Sequence, residues 1–369
     1  MPVASVDLVS TNAVNLIQMS NMLNPGMTKE VVNSFIEDGN VYQDLPVITE
    51  ETQITVGSRQ LGLGIPVNWG LTNNPNQFVN SMPIPHQEQK YLILNGIMMN
   101  KYYQKDKRQF PGNSPMEIQT KNLLSAVSFD VNWKFFNNDP TNPGFTINGI
   151  TGNSTNAFTG IGPRLANPQV YQTNPECLQN ANSFVSGGIS MTPTSITGTN
   201  ANTLVRLIQK LLFAMNAPTG QDTTLYMNED MLPAMEEGIR LMGAGGGWRY
   251  DQDAYDRRIL HYKDAKIRDA GRVTPDTQGN QLYYNILSSE TTTGQPNTAW
   301  TGAGGYTSIY GVKAGVKTFC GTQFEPMKID PPVVNPFDGV TLIANFHWML
   351  GLWQQHSRAI GRITGIQIN

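Results

Sequence analysis

Charge is what this sequence has least of. Asp, Glu, Lys and Arg make up 14% of its 369 residues, against roughly 25% in an ordinary soluble domain. Asn, Gln, Ser, Thr and Gly take their place, while hydrophobic residues stand at 39%. A polar surface so sparse in charge fits a loop-rich β protein. It also fits a chain much of whose surface meets other copies, because charge is depleted at the centres of interfaces. Cysteine is scarcer still: Cys177 and Cys320 are too few for a disulfide framework, suggest no metal site, and read as buried small hydrophobes. The four histidines, His86, His261, His347 and His356, include no metal-spaced pair with a carboxylate between them and are expected to be neutral. There is no Gly-x-Ser-x-Gly elbow and no Cys-x-x-Cys. No run is as long and apolar as a membrane helix requires, and MPVASVDLVS lacks the basic-then-apolar order of a signal peptide. The expectation is a chain assembled in cytosol, with no membrane contact, cofactor, metal or enzymatic activity.

Two near-motifs do not survive inspection. Asp251, Asp253 and Asp256 hint at a calcium loop, but Tyr255 stands at the third ligand position and Tyr262 where the closing glutamate belongs. They read as a solvated mixed-charge strand with Arg257 and Arg258. Gly243 to Gly247 follows a helical pattern and lacks the Lys-Ser/Thr pair of a phosphate loop, so it reads as a connecting loop. A β-rich hydrolase would need convergent carboxylates, and no pair at a recognisable spacing supplies them.

What is present is one long, cleanly started helix. Ser114 suits the N-cap, Pro115 the first helical position, and Glu117 completes a Ser-x-x-Glu capping box. Leu124, Val127, Val131 and Phe135 fall on one face, and Asn137-Asn138-Asp139-Pro140 ends the helix. Net charge is −3, but unevenly spread. Residues 1–45 carry one base against five acids, whereas residues 90–138 carry seven bases against three acids. Within the basic stretch, Lys101, Lys105, Lys107, Arg108 and Lys121 lie near Tyr102 and Tyr103. That mixture suits a nucleic-acid surface, although such a patch alone is commonly a solvated face.

Around the helix, residues 1–27 read as an extended arm, and Thr28 caps a short helix over 29–38. Residues 45–89 read as a long two-stranded excursion with Asn73-Asn74-Pro75-Asn76 as a turn. It has too little core to bury itself, so it must lie on something else, with Trp69 and Phe78 as docking points. Tyr91–Tyr103 reads as a buried strand. Further helices are expected over Asn202–Met215 and, capped by Asn228, over Glu229–Met242. Strands are expected over 223–227, 257–268 and 281–287, and from Tyr306 onward. There is no internal repeat.

The order of these parts resembles the major capsid proteins of tailed double-stranded-DNA phages, the Hong Kong 97 fold, over nearly the whole chain. MTKEVVNSFIEDGNVYQDLPVIT is similar to the family's opening helix, and Ser114–Asn138 to its spine helix. NNDPTNPGFTINGI is similar to the turn that follows the spine. FEPMKID and VTLIANFHWMLGLWQQHSRAIGRITGI are similar to its closing strands, with Arg358, Ala359, Ile360, Arg362, Ile363, Gly365 and Ile366 carrying the final signature. The resemblance implies an α+β fold with an N-terminal arm and short helix over 1–45 and an extended E-loop over 46–89. It further implies a P-domain over 90–159 containing the spine helix 114–138, an A-domain over 160–315, and closing strands over 316–369.

The implied function is a shell protein that forms hexamers and pentamers of an icosahedral virion head around double-stranded DNA. Its partners would be itself, a portal, a separate scaffolding protein, the packaged DNA and, as a candidate, a decoration protein. Arg59, Trp69 and Phe78 of the E-loop would make inter-subunit contacts, and the five cations named above would be a candidate DNA-facing patch. Two features depart from some members. No lysine lies between Gln53 and Gln89, where Arg59 is the only Lys or Arg, so covalent welding through an E-loop lysine is not expected. No charged, coiled-coil-like assembly segment stands at the N-terminus, so no cleavage there is expected. Alternatives are an encapsulin-type compartment shell and a phage decoration or tail structural protein.

Overall fold

The computed structural model describes residues 13–14, 41–59, 84–104, 115–140, 146–147, 151–166, 183–192, 195–243, 247–252, 258–271, 286–287 and 305–368. The long helix spans Pro115–Asn137, and Leu124, Val127, Val131 and Phe135 are all buried as the spacing predicts. Ser114 and the side chain of Glu117 lie outside the described residues. Burial is not confined to one stripe. Ser128, Asn132, Trp133, Phe136 and Asn137 are buried too, so the helix is one-sided in its first turns and enclosed in its last. Its stop is a built junction. Asn138 donates from Nδ2 to the Phe158 carbonyl at 2.7 Å and accepts the Ser154 N–H on Oδ1 at 2.8 Å. Gly160 must be glycine there, since a Cβ would stand 2.6 Å from the Lys134 carbonyl oxygen.

The strands run in chain order as β1 (Ala13–Val14), β2 (Val47–Thr49), β3 (Ile54–Arg59), β4 (Ile84–Gln89) and β5 (Tyr91–Asn100). Then come β6 (Thr146–Ile147), β7 (Thr151–Gly152), β8 (Ser183–Val185), β9 (Thr223–Met227), β10 (Trp248–Gln252), β11 (Arg258–Tyr262) and β12 (Ala265–Asp269). The last are β13 (Tyr306–Lys313), β14 (Phe319–Gln323), β15 (Lys328–Ile329), β16 (Val333–Val334), β17 (Thr341–Gln354) and β18 (Ile360–Gln367). They form two seven-stranded sheets and two small hairpins, β3–β4 and β6–β7.

The first sheet is organised by β17, whose 14 residues extend about 46 Å at ~3.3 Å per residue. One side pairs with β5 from Thr341↔Asn100 to Leu350↔Tyr91. The other side pairs in turn with β14, β15 and β16. The long helix covers one face, where Leu124, Val127, Val131 and Phe135 join Phe346, Trp348, Leu350 and Leu352 in a single core. The second sheet runs β10-β11-β12-β9-β13-β18-β8. Helices Gly198–Ala214 and Met231–Met242 pack on it, placing Leu204, Ile208, Leu211, Met231 and Met235 against Leu225, Ile309 and Ile363.

Several expectations are corrected. The strand expected to be buried over Tyr91–Tyr103 ends at Asn100, and one of its faces is open: Leu92, Leu94 and Met98 are 53%, 68% and 73% exposed. An uncharged apolar run looks the same whether its second face meets its own core or nothing in the same chain. The second helix starts at Gly198, earlier than apolar spacing indicates, because Thr197 Oγ1 accepts the Asn200 N–H and adds a polar turn. The third begins at Met231, since Asn228 Oδ1 is spent on a tight turn to the Asp230 N–H. The strand expected over 257–268 is instead a hairpin over Arg258–Asp269, β11–β12, turning at Lys263 with φ 53. Of the strand expected over 281–287, only 286–287 are described, in a turn. The helix expected over 29–38 lies outside the described residues, as does the arm apart from β1.

Candidate assembly surfaces

Among the described residues, no group of three or more His, Cys, Asp or Glu side chains is placed to hold a metal ion. Burial, with Arg249 beside it, holds His261 below the ordinary histidine value, and burial with Arg358 does the same for His356. Burial pushes the Cys320 thiol well above its usual range, so it is held as a neutral thiol. Cys177 lies outside the described residues.

The concentrated electrostatics lie instead at the root of the hairpin β3–β4. Lys90, the single residue between β4 and β5, is buried and donates to Glu50 Oε2 at 3.0 Å and to the Thr52 carbonyl at 2.7 Å. Thr55 Oγ1 donates to the same carboxylate oxygen at 2.8 Å. One turn of strand away, Glu88 accepts both Nη atoms of Arg164, at 3.0 and 2.6 Å, and the Gln354 N–H at 3.1 Å. Arg164, on the helix Ile161–Ala166, also donates from Nε to the Thr159 carbonyl at 3.0 Å. Buried charges are tolerated when paired and fully hydrogen-bonded. These pairs tie the hairpin at once to the short helix and to the end of β17, which fixes its direction. Further along the same segment, Asp44 receives Lys266 at 2.8 Å and Arg268, both from β12.

The second feature is the face of the first sheet opposite the long helix. Its cross-strand rows are Leu92–Met349, Leu94–His347–Lys328, Gly96–Asn345 and Met98–Ile343–Val333. Val333 is 63% exposed. Polar residues interrupt this field at Lys328, Asn345 and His347, whose Nδ1 lies 3.7 Å from Asp330 and Nε2 4.0 Å from Glu325. The exposed apolar side chains of this face are Leu92, Leu94, Met98 and Val333.

The third feature is the turn joining β16 to β17. Asp338 Oδ1 accepts the N–H groups of Val340 and Thr341, each at 2.9 Å, and Asn335 Oδ1 accepts the Phe337 N–H at 3.1 Å. Lys101 donates its own N–H to the Val340 carbonyl at 2.8 Å and its Nζ to the Gly339 carbonyl. This rigid loop presents Phe337 at 97% exposure.

Of the residues singled out in the sequence, Arg59 ends β3 opposite Ile84, its side chain outside the description. Trp69, Phe78, Lys105, Lys107 and Arg108 lie outside the described residues. Lys101 is drawn into the Phe337 turn and lies 5.5 Å from the Tyr102 ring. Lys121 is exposed on the long helix. Two other bases of the basic stretch are neutralised, Lys90 by Glu50 and Lys134 by Asp130. The ion pairs at the hairpin root have no signature in sequence, because Glu88 and Arg164 stand 76 residues apart. Phe337 did leave a signal: an aromatic residue within the turn-forming run Asn335-Pro336-Phe337-Asp338-Gly339 has no partner in its own loop.

No protein-family model matches the sequence, and no curated protein matches it. Solved structures do. The encapsulin of Synechococcus elongatus, in its holo complex, is 7% identical with a TM-score of 0.52, covering 88% of this chain and 85% of that one. The capsid of cyanophage P-SCSP1u is 9% identical with a TM-score of 0.47, covering 90% and 89%. The capsid of the Myoviridae phage XM1 is 10% identical with a TM-score of 0.45, covering 86% and 89%.

Proposed function

The chain has the Hong Kong 97-type capsid fold, and from that premise we propose that it is the major capsid protein of a tailed phage. Copies of it close into hexamers and pentamers of an icosahedral head around double-stranded DNA. The observation that carries this reading is the sheet face of Leu92, Leu94, Met98, Ile343 and Val333, apolar and left open by the described residues, beside a hairpin rooted by buried ions. A shell subunit needs such surfaces, since closed assemblies bury them between copies.

In this reading residues 46–89 are the E-loop and 1–45 the arm that laces neighbours. Residues 90–159 form the P-domain, 160–315 the A-domain, and 316–369 return through both sheets. Trp69 and Phe78 lie over the adjacent subunit, with Arg59 at the base of that contact. Phe337 meets a further copy. The long helix, with Lys121 and the cations at 101–108, faces the DNA, held by non-specific charge. A portal, a scaffolding protein and a decoration protein are the expected partners, the role is architectural rather than catalytic, and the mature location is the virion. Electron microscopy of the chain co-expressed with the scaffolding protein tests this. Shells built of hexamers and pentamers are expected, and a population of dispersed monomers contradicts the proposal.

The likeness to an encapsulin favours a second reading, a compartment shell that encloses a protein. The two part on content: double-stranded DNA extracted from native particles supports the phage head, and an enclosed enzyme supports the compartment.

A further inference from the structure

We propose that one end of the second sheet is a contact surface for the phosphate backbone of duplex DNA, formed by Lys263, Lys313, Lys317 and Arg358 on three neighbouring turns. This rests on the shell reading for the DNA inside the head, and adds a surface separate in sequence from the long helix and the cations at 101–108.

The strands of the second sheet stop in step at this end. Tyr262 closes β11 opposite Ala265, and Lys313 closes β13 opposite Thr223, the first residue of β9. Val312 faces Ile360, the first residue of β18. The turns beyond are braced to each other. Lys313 donates its N–H to the Ala359 carbonyl at 2.8 Å, and the Thr318 carbonyl accepts the N–H groups of Gln355 and His356 at 3.0 and 3.4 Å. Thr318 Oγ1 donates to the Lys313 carbonyl at 2.8 Å. Two lysines hold the loop that enters β9: Lys313 Nζ donates to the Asn216 carbonyl at 2.9 Å and Lys263 Nζ to the Pro218 carbonyl at 3.2 Å.

These cations meet little opposing charge. Asp264 pairs with Arg249 at 3.3 Å, which leaves Asp222 as the other acid of the three turns and the loop 216–222. Lys317 and Arg358 are exposed, with no carboxylate partner among the described residues. The field is felt at His356, which burial first, and then Arg358 and Lys313, hold below the ordinary histidine value. By contrast Lys90, Lys134, Arg164, Lys266 and Arg268 are each paired with a carboxylate.

Backbone strain gathers at the same place. Asn216, Asp222 and Lys263, with φ of 55, 55 and 53, are the non-glycine residues of positive φ among the described residues. Asn and Asp tolerate that region, whereas lysine pays a steric cost there, and Gly or Asn would relieve the turn between β11 and β12. A lysine at such a position points to a use for its charge. The cations are spread over three turns rather than gathered in one pocket. That suits a polymer of closely spaced phosphates, about one charge per 1.7 Å of duplex axis. Lysine and arginine contacts to phosphate position a duplex without reading its sequence, as a packaged genome requires.

Two measurements test this. In the first, the unassembled full chain is titrated into a short fluorescein-labelled DNA duplex at several salt concentrations, and anisotropy is read. Lys317→Gln with Arg358→Gln should lower the slope of log affinity against log salt by about 1.8, and weaken binding at low salt by at least about tenfold. Arg206→Gln with Lys328→Gln, two exposed cations elsewhere, should bind as wild type. No binding by the wild type, equal loss in both variants, or no loss in the first overturns the inference. In the second, acetylation of lysines by N-hydroxysuccinimidyl acetate is compared in native particles before and after release of their DNA. Lys263, Lys313 and Lys317 should be protected while DNA is present and reactive once it has left. Protection that persists assigns the surface to an acidic protein segment, and reactivity at both stages leaves it to solvent. Either result overturns the inference with the shell reading intact. Absence of particles overturns the shell reading, and the titration still decides the surface on its own.

Discussion

A methyl group on Gly57 would stand 2.8 Å from Cζ2 of Trp353 and 3.2 Å from its Cη2. Gly57 lies in β3 opposite His86, and Trp353 is buried near the end of β17 in register with Cys320. The buried indole would have to shift to admit a methyl group. Gly57→Ala is expected to destabilise the chain by about 1–3 kcal/mol, the usual cost of overfilling a packed site, and Gly57→Val by more. Urea unfolding measures this; an unchanged midpoint in both variants would show that the hairpin root yields freely.

The pair of Glu88 and Arg164 is the second test of that root. Both side chains are nearly inaccessible, at 9% and 2% exposure, so removing one partner strands the other charge. Arg164→Met is expected to cost about 3–5 kcal/mol. Adding Glu88→Gln should recover part of that loss, because the orphaned carboxylate is then neutral. A double-mutant cycle in urea gives the coupling; strict additivity would mean the two groups do not act as a pair.

How far the sequence foretells this architecture depends on how local each cause is. The long helix is legible because its start, stripe and stop lie within one segment, Pro115 to Pro140. The strand at the hairpin base is legible from Ile54 and Val56, while the turn expected at 73–76 lies outside the described residues. The open face of β5 is not: Leu92, Leu94 and Met98 look identical to core residues until β17 and the long helix settle which side is covered. Lys90 and Glu88 were invisible as buried ions, since their partners lie on other elements. Lys101 shows the converse limit, a surface cation by composition whose Nζ is engaged on the Gly339 carbonyl.

Stability should fall as the solution becomes mildly acidic. His261 and His356 are both held below the ordinary histidine value, first by burial and then by cations, Arg249 for one and Arg358 for the other. His356 Nδ1 also accepts the Arg358 N–H at 3.0 Å, which needs the unprotonated ring. In the unfolded chain each titrates near about 6.5. Below that pH the unfolded state binds more protons than the folded one, so stability is complete above it and declines as pH falls towards the folded values. Urea midpoints between pH 7.5 and 5.5 should drop, and His261→Gln with His356→Gln should flatten that slope. An equal slope in the double variant contradicts the assignment.

Phe337 separates folding from assembly. Its ring is almost wholly in solvent, so Phe337→Ser should leave monomer stability within about 0.5 kcal/mol. The turn itself is held by Asp338, Asn335 and Lys101 and does not need the ring. The yield or heat resistance of particles should fall, because an exposed aromatic on a rigid loop is a preorganised anchor for another chain. Sedimentation of particles alongside denaturation of unassembled chain reads both quantities, and unaltered particles would remove Phe337 from the contact.

Trp69 tests the proposed E-loop contact in the same way. It lies in the uncharged stretch 60–83 that joins Arg59 to Ile84. A side chain of that size, if it anchors on a neighbouring copy, carries a large share of the contact, and its truncation typically costs 2 kcal/mol or more per interface. Each subunit repeats the loss, so Trp69→Ala should greatly reduce assembled particles or lower the temperature at which they come apart. The unassembled variant should keep the wild-type circular dichroism and urea midpoint, because in this reading the ring serves the contact with a neighbouring copy. Particles of normal yield and normal thermal stability would refute the anchoring role, and loss of the monomer's own stability would place Trp69 within its own subunit instead.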